Sequence, residues 1–257
     1  MTETAPPDIA GRTVIVTGAG QGIGRAYAEA FAAVSGNVVV ADVNHDNAAA
    51  VAESILGTGG KAIAIHTDVS DEASTLDMAR RAGEAFGRID VLINNAALYT
   101  DISRGPFDTL PVDNWRRVLD VNITGGFLCS RAVLPAMRAR QWGRIINISS
   151  STVQMGRPNF LHYVTSKAAI VGMTRSMARE LGADGITVNA VMPGLTDTGI
   201  EAAGLTEEIW ETIVARQCIP RREVPADLTG ILVFLASDAS SFVTGQTLAV
   251  DGGNIHL

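Results

Sequence analysis

The sequence predicts an α/β fold: a doubly wound parallel sheet of about seven strands with helices on both faces. Short β-branched runs alternate with helix-length segments, and those runs are continuously apolar rather than alternately polar. A parallel sheet covered on both faces requires such unbroken runs. No linker rich in Pro, Gly or Ser divides the 257 residues, so we expect a flexible lead-in at 1–10 and a single domain at 11–257.

The seven apolar runs define the expected strands, and the segments between them supply the crossover helices. The runs are 13–18, 37–42, 61–68, 90–96, 143–149, 186–194 and 246–253. Between them, the apolar spacing in 160–181 predicts a helix that stops near Gly182, and 112–139 reads as one long apolar helix. Polar residues follow the apolar part of most strands, so we expect a ligand site at the carboxyl ends of the sheet.

Bulk properties exclude several classes of function. The N-terminus lacks the basic and apolar regions of an export signal, and no apolar run approaches the roughly 20 residues of a membrane span, so we expect a cytoplasmic protein without membrane contact. A net charge of −7 with dispersed arginines argues against nucleic acid as a partner. Cys129 and Cys218 follow no metal-ligand spacing, and we expect neither a metal site nor a disulfide.

A glycine-rich turn follows the first strand and opens a helix. It reads TGAGQGIGR (17–25), with glycines at 18, 20, 22 and 24, which does not match GxGxxG in any register. Glycines at such a turn let backbone N–H groups approach a pyrophosphate at the positive end of a helix, as in Rossmann-type folds. The alternative is a tight turn with no ligand.

An acidic residue, Asp42, ends the second strand. A carboxylate there accepts hydrogen bonds from a ribose 2′-hydroxyl and repels a 2′-phosphate. Gln21, Val43 and Asn44 offer no cation for that phosphate, so the sequence favours NAD over NADP. The alternative is that Asp42 or Asn44 simply caps the next helix.

Tyr163 and Lys167 lie one turn apart on the helix predicted for 160–181. A tyrosine acting as a base near neutral pH needs its pKa lowered from about 10 by roughly 2 to 3 units. A fixed ammonium about 5 Å away in a site of reduced dielectric supplies a shift of that order. A tyrosine four residues before a lysine is nevertheless common on ordinary helices, so other motifs must support this interpretation.

Six motifs occur in order along almost the whole chain. They are TGAGQGIG (17–24), NNAA (94–97), Asn122 within DVN, Ser150 thirteen residues before Tyr163, YVTSK (163–167) and PGLTDT (193–198), followed by the ending TGQTLAVDGG (244–253). Together they resemble the short-chain dehydrogenase/reductase family. The resemblance implies an NAD-dependent enzyme that transfers a hydride to or from a secondary alcohol or ketone.

The resemblance also implies roles for individual residues. Ser150 polarises the substrate carbonyl, Tyr163 passes the proton, Lys167 holds the ribose and lowers the tyrosine pKa, and Asn122 anchors a water relay. Asp68 and Val69 are implied to bracket the adenine, and the 193–198 segment to hold the nicotinamide. The complete set of expected cofactor-binding residues is Gly18, Gln21, Gly22, Ile23, Gly24, Asp42, Val43, Asp68, Val69, Asn95, Ala96, Tyr163, Lys167, Pro193, Gly194, Leu195, Thr196 and Thr198.

The substrate is expected to bind between three segments, 97–107, 151–162 and 195–216. Their apolar and aromatic side chains, with few cations, favour a small-molecule alcohol or ketone that is neutral and moderately hydrophobic. One departure from the family is Ala97, which replaces the usual glycine of the NNAG motif. The resemblance also implies a homotetramer, with which the long apolar helix is compatible.

Three alternatives remain open. Reductases of 3-oxoacyl groups on acyl carrier protein are the nearest, but their carrier-docking arginines are replaced here by Gln141 and Asp184, although Arg138, Arg140 and Arg144 lie close in sequence. A hydrolase would use a serine of 149–151 with His162 as base, yet no GxSxG surrounds those serines. An NAD-binding sensor would not need the proton-transfer residues.

Overall fold

The computed structural model describes residues 8–200 and 205–256, so 1–7 of the expected lead-in lie outside the described residues. Seven parallel strands form one sheet in the order β3-β2-β1-β4-β5-β6-β7, which confirms the predicted fold class. The strands are β1 (Thr13–Thr17), β2 (Asn37–Asp42), β3 (Lys61–His66), β4 (Val91–Asn94), β5 (Gly143–Ile148), β6 (Ile186–Pro193) and β7 (Thr247–Val250). Each lies within one of the predicted apolar runs.

The helices connect these strands and cover both faces of the sheet. They are α1 (Gly22–Ala33), α2 (His45–Gly57), α3 (Glu72–Phe86), α4 (Val112–Leu119), α5 (Gly125–Arg140), α6 (Thr152–Met155), α7 (Leu161–Leu181), α8 (Glu207–Val214) and α9 (Pro225–Ala236). One core cluster joins α1, α2 and α9 to the sheet, and the other joins α3, α5 and α7. Side chains of β1 alternate between the two, with Val14 and Val16 in the first and Ile15 in the second.

The sheet reverses its winding between β1 and β4. From β1 the chain adds β2 and β3 on one side, then returns to place β4 directly beside β1 on the other. Open α/β sheets bind ligands outside the carboxyl ends of the strands at such a reversal. The polar residues that follow β1, β2, β4, β5 and β6 therefore share one edge of the molecule.

One helix prediction needs correction, and another is confirmed with a difference in detail. The segment 112–139 is not one regular helix, because a π-helical turn, Asp120–Thr124, separates α4 from α5. Helix α7 ends at Leu181 as predicted, but Gly182 keeps a helical φ of −59° and starts a short 3-10 turn. The left-handed residue that ends this region is Gly185, with φ 71°.

Among the residues that the structure describes, no helix combines the length and the apolar character needed to cross a bilayer.

Candidate active site

The turn between β1 and α1 is packed so closely that glycine is required at two of its positions. Gly18 has φ +63°, and a Cβ there would lie 2.8 Å from the Cα of Ala96. A Cβ on Gly24 would lie only 2.1 Å from the carbonyl oxygen of Gly18. The glycines therefore form a closely packed turn at the start of a helix, where backbone N–H groups can approach a pyrophosphate. This cradle fits a dinucleotide.

The glycine turn faces the segment that follows β6. Gln21 is the exposed N-cap residue of α1, and Gly22 and Ile23 are half-buried at the helix start. A Cβ on Gly22 would lie 3.3 Å from the Ile200 side chain and 3.8 Å from that of Thr198. The structure thus brings together two segments that the sequence separates by more than 170 positions.

Asp42 ties the end of β2 to the glycine turn. Its carboxylate accepts hydrogen bonds from the backbone N–H of Gly20 at 2.8 Å and of Asn44 at 2.9 Å. The cap of α2 is Asn44, whose side chain accepts from the Asn47 N–H. The alternative of Asn44 as the cap is therefore correct, while Asp42 is left at the strand end beside the turn. Val43 next to it is 64% exposed.

Asp68 and Val69 follow β3 and differ in their surroundings. Asp68 is half-buried and accepts from the N–H and hydroxyl of Ser70, at 2.9 and 2.6 Å. Val69 is buried, and a Cβ on Gly125 would lie 2.7 Å from it. Gly125 therefore permits the close approach of α5 to this loop. The adenine-binding role of the two residues stays a prediction.

Thr17, which was not among the expected site residues, joins the ends of β1 and β4. Its hydroxyl accepts hydrogen bonds from the backbone N–H groups of Asn95 and Ala96, each at 3.1 Å. The Asn95 amide donates in turn to the carbonyls of Thr17 and Gly18, at 2.9 and 3.1 Å. Asn95 and Ala96 thus hold the glycine turn in place. Neighbouring Ala97 does not have a positive φ, so its backbone requires no glycine.

Tyr163 and Lys167 lie on α7 beside the end of β5. The Lys167 Nζ donates to the carbonyl of Ile148 at 2.8 Å and lies 5.6 Å from the centroid of the Tyr163 ring. The Ser149 hydroxyl donates to the Lys167 carbonyl at 2.7 Å. Burial lowers the pKa of Lys167 to about 8, because removing an ammonium from water disfavours its charged form.

The expected lowering of the Tyr163 pKa is not what the structure gives. Burial of the phenol raises its pKa above the ordinary value, and Tyr99 acts in the same direction. A hydrogen bond with Ser150 and the positive charge of Arg157 oppose this rise without cancelling it. Desolvation outweighs these two influences, so Tyr163 holds its proton at neutral pH. A phenol in that state is suited to donate a proton to a carbonyl oxygen.

Ser150 differs from the serines on either side of it. It follows β5, is 7% exposed, and its Oγ accepts from the backbone N–H and hydroxyl of Thr152, at 3.3 and 3.0 Å. Ser150 and the Tyr163 phenol are hydrogen-bonded to each other, so both side chains can contact the same substrate oxygen. Ser149 is bonded instead to the backbone of α7, as given above, and the buried Ser151 hydroxyl has no partner among the described residues.

Asn122 lies in the π-helical turn between α4 and α5. π-Turns inside helices are rare and occur frequently at functional sites. The Asn122 side chain accepts from the Leu98 N–H at 2.8 Å and donates to the Ser166 hydroxyl at 3.0 Å. A cavity of about 10 Å³, close to the size of one water molecule, is lined by Thr17, Val69, Asn94, Ala96, Asn122, Gly125, Gly126, Ile148, Lys167 and Ile170.

His162 does not serve as a base for the serines. It is fully buried, which excludes a solvent-facing position, and burial lowers its pKa. Within the part of the chain that is described, neither ring nitrogen hydrogen-bonds to a serine hydroxyl, and no group of acidic, histidine or cysteine side chains could hold a metal ion. The geometry therefore offers no serine–histidine pair for a hydrolase.

Aromatic residues from two of the three expected substrate segments pack on Tyr163. The Phe160 ring stacks on it with centroids 4.7 Å apart, and Tyr99 meets it edge-on at 5.3 Å. Tyr99 and Phe160 also contact each other, at 5.7 Å. Trp210, in the third segment, packs against Arg222. Residues 201–204 of that segment lie outside the described residues.

The loop after β6 is fastened by a buried carboxyl that sequence reasoning missed. Glu223 accepts from the Thr196 hydroxyl at 2.5 Å and from the Gly194 N–H at 3.1 Å. Burial raises the pKa of Glu223 to about 7. Pro193 ends β6, and Leu195 is half-buried in the loop. No local sequence motif marks Glu223, because its contacts are made 27 and 29 positions away.

Comparison with known proteins agrees with this geometry. Residues 18–254 match the family model described as enoyl-(acyl carrier protein) reductase. The chain is 41% identical to cis-4-hydroxycyclohexanecarboxylate dehydrogenase of Sinomonas cyclohexanicum, over 94% of this chain and 96% of the other. It is 38% identical to 3-oxoacyl-[acyl-carrier-protein] reductase of Synechocystis, over 95% and 97%.

A solved structure extends the likeness to three dimensions. It is a putative NAD(P)-dependent gluconate 5-dehydrogenase from Beutenbergia cavernae with NADP bound at low occupancy. The TM-score is 0.88 at 41% identity, covering 95% of this chain and 97% of that one. The matches span nearly the whole chain, and Ser150, Tyr163 and Lys167 lie beside the carboxyl end of β5. The protein therefore belongs to the short-chain dehydrogenase/reductase family and is an oxidoreductase acting on alcohol and carbonyl groups.

Proposed function

We propose that the chain interconverts a secondary alcohol and its ketone with NAD as cofactor. The observation that carries this proposal is the grouping of Ser150, Tyr163 and Lys167 at the end of β5, across from the glycine turn after β1. The aromatic wall of Tyr99 and Phe160 lies beside Tyr163, and its half-buried member, Tyr99, suits a moderately hydrophobic substrate body.

Asp42 supports NAD over NADP. Its carboxylate lies at the end of β2 and already accepts from Gly20, so a 2′-phosphate near the glycine turn would meet a negative charge. The Beutenbergia relative carries NADP at low occupancy. The preference of this chain for NAD over NADP is therefore measured directly, by comparing turnover with the two cofactors.

When bound, the cofactor would supply or accept the hydride. The side chains transfer the proton and orient the substrate. Ser150 donates a hydrogen bond to the substrate oxygen and polarises it. Tyr163 delivers its proton to that oxygen in reduction and receives one in oxidation. Lys167 holds the ribose, and Asn122 anchors a water next to Lys167, for which the small cavity between them offers room.

At neutral pH the raised pKa of Tyr163 keeps the phenol in the protonated form that reduction uses, although it also makes the phenol a weaker acid. A phenol that keeps its proton at neutral pH is ready to donate, whereas oxidation requires a charged phenolate to form in a buried site. Lys167, whose own pKa is lowered to about 8, lies 5.6 Å from the centroid of the Tyr163 ring, and its protonated form would offset part of that cost.

Acyl carrier protein is the weaker candidate for a substrate carrier. The cations near the expected docking positions are engaged within the chain: Arg138 bonds Asp184 at 2.7 Å, and Arg140 lies 3.8 Å from Asp90. Arg144 is 2% exposed. Docking of an acidic partner needs exposed, available cations, so these contacts argue for a free small molecule.

The assembly and location that accompany this function are a homotetramer in the cytoplasm. Exposed apolar side chains near the C-terminal edge strand support self-association, among them Phe242, which is 103% exposed. Size-exclusion chromatography with light scattering tests the tetramer.

The proposed function is tested with a panel of secondary alcohols and ketones: aromatic, terpenoid, steroidal and 3-oxoacyl, each with both cofactors. We expect turnover of free ketones with NADH at higher kcat/KM than with NADPH. Turnover confined to 3-oxoacyl groups on carrier protein would support the alternative, and cofactor binding without turnover of any compound would support a sensor.

A further inference from the structure

Two guanidinium groups lie over the aromatic wall of the site. The Arg157 Cζ is 5.1 Å from the centroid of the Phe160 ring, and the Arg104 Cζ is 4.8 Å from the same centroid and 5.5 Å from that of Tyr99. Phe160 is 1% exposed, so these cations cover a ring that water scarcely reaches. The sequence predicted few cations in these segments, but two guanidinium groups lie on this surface.

The two arginines come from segments that are joined to each other. Arg104 belongs to 97–107 and Arg157 to 151–162, and the Gly105 N–H donates to the Asn159 carbonyl at 3.2 Å. Asn159 has φ 60°, in the left-handed region that few residues other than Gly and Asn adopt readily. The turn it makes lies between Arg157 and Phe160 in sequence, so backbone geometry helps to hold the guanidinium near the ring.

Arg157 is close enough to Tyr163 to act on it. Both groups pack on Phe160: the Arg157 guanidinium carbon lies 5.1 Å from the Phe160 ring centroid, and the Tyr163 ring centroid lies 4.7 Å from it. In agreement, the positive charge of Arg157 is one of the influences that lower the pKa of Tyr163 against burial. Because both groups contact Phe160, one substrate with a small ring or a short carbon chain can reach both.

Among the described residues, no carboxylate forms an ion pair with Arg157. The chain has a net charge of −7, and many of its arginines form ion pairs, such as Arg117 with Asp101 and Arg222 with Asp197. Within 8–200 and 205–256 no such pair is formed by Arg157, although it is half-buried. A partly desolvated guanidinium gains most from a hydrogen-bonded anion, and its planar fork matches a carboxylate.

We propose that Arg157, assisted by Arg104, binds a carboxylate carried by the substrate at the end opposite its reacting carbonyl. The inference rests on the proposed function and deepens it, replacing the neutral substrate favoured by the sequence with an anionic one. The substrate class is then a keto acid or hydroxy acid with an apolar body, whose ring or chain packs on the half-buried Tyr99.

The first test measures binding without turnover. Cyclohexanecarboxylate and cyclohexanecarboxamide, which share shape but not charge, are titrated into the NADH-saturated protein by calorimetry. We expect the carboxylate to bind about 10- to 100-fold more tightly, the range for a hydrogen-bonded charged group. Arg157→Gln should remove most of this preference, and Arg157→Lys should keep part of it, since the charge remains without the fork.

Arg175→Gln is the matched control. Arg175 is exposed on α7 and, among the described residues, forms no ion pair, so its loss should leave the carboxylate preference at the wild-type value. Far-UV circular dichroism and Tm establish that each variant is folded. Equal binding of acid and amide by the wild type, or an equal loss of preference in both glutamine variants, would overturn the inference, as would tighter binding of inorganic phosphate.

The second test separates this inference from the proposed function. Reduction of 4-oxocyclohexanecarboxylate is compared with that of its methyl ester, and Arg157→Gln should lower kcat/KM for the acid relative to the ester by about 10- to 100-fold, mainly through KM. Acid-selective binding without reduction of any ketone would contradict the function but not the anion site. Equal turnover of acid and ester, equally affected by the substitution, would contradict the anion site alone.

Discussion

Replacing Asp42 with Asn should shift the cofactor preference toward NADP. The substitution removes the negative charge and keeps a side-chain oxygen able to accept from Gly20 or Asn44, whose N–H groups lie 2.8 and 2.9 Å from the carboxylate. Asp42→Ala would remove both hydrogen bonds and loosen the glycine turn, which would confuse the result. Asp42→Asn is therefore the sharper variant.

The size of the effect follows from the charges. Two unit charges about 4 Å apart near a protein surface interact by about 4 kcal/mol, and salt and solvent reduce this for exposed groups. If a quarter to three quarters of it survives, the ratio of kcat/KM for NADH over NADPH should fall by about 5- to 150-fold. A 2′-phosphate carries more than one negative charge, which places the expected change toward the upper end.

The assay is the initial rate of ketone reduction with NADH and with NADPH over a range of ionic strength. Glu53→Gln, an exposed charge change farther along α2, is the control and should leave the ratio unchanged. The selectivity change in Asp42→Asn should shrink as salt increases. A wild-type enzyme that prefers NADPH, or a ratio unaffected by the substitution, would refute this reasoning.

Two further predictions concern the loops that hold the cofactor. Gly24→Ala places a methyl group 2.1 Å from the Gly18 carbonyl, so we expect a loss of about 1–3 kcal/mol of stability and at least tenfold weaker NADH binding by fluorescence titration; Gly230→Ala, where a Cβ meets nothing within 4 Å, should cause neither. Glu223, with its pKa raised to about 7, keeps in the folded state a proton that the unfolded chain releases above its ordinary pKa. Its contribution to stability therefore falls as pH rises from about 5 to 7, and Glu223→Gln should flatten the Tm profile across that window; an identical profile in both proteins would contradict the assignment.

The sheet was predictable from sequence because its signal is local. Unbroken apolar runs mark strands buried on both faces, and each observed strand lies inside one of them. The break in the 112–139 helix was not predicted in this way, because the contacts of the π-turn at Asn122 are made outside the helix. Its side-chain bonds are made with Leu98 and Ser166, which are remote in sequence.

In the candidate site, too, the residues marked by local sequence patterns were predictable, and those defined by contacts between distant segments were not. Ser150, Tyr163 and Lys167 could be predicted because their fixed spacings fall on one strand end and one helix. Glu223 and Arg157 could not, since their environments arise only when separate loops meet. The pKa of Tyr163 was predicted in the wrong direction for a related reason: a sequence shows the neighbouring lysine but not the degree of burial, and burial prevails.

The most direct test of the central claim is Tyr163→Phe, which removes one hydroxyl and keeps the ring that packs on Phe160 and Tyr99. Turnover of the best ketone and the Kd for NADH are measured on the same preparation. We expect turnover to fall by about 100-fold or more, the usual contribution of a positioned acid, while the Kd for NADH changes by less than about threefold. Turnover at the wild-type level would contradict the assignment of Tyr163 as the group that passes the proton.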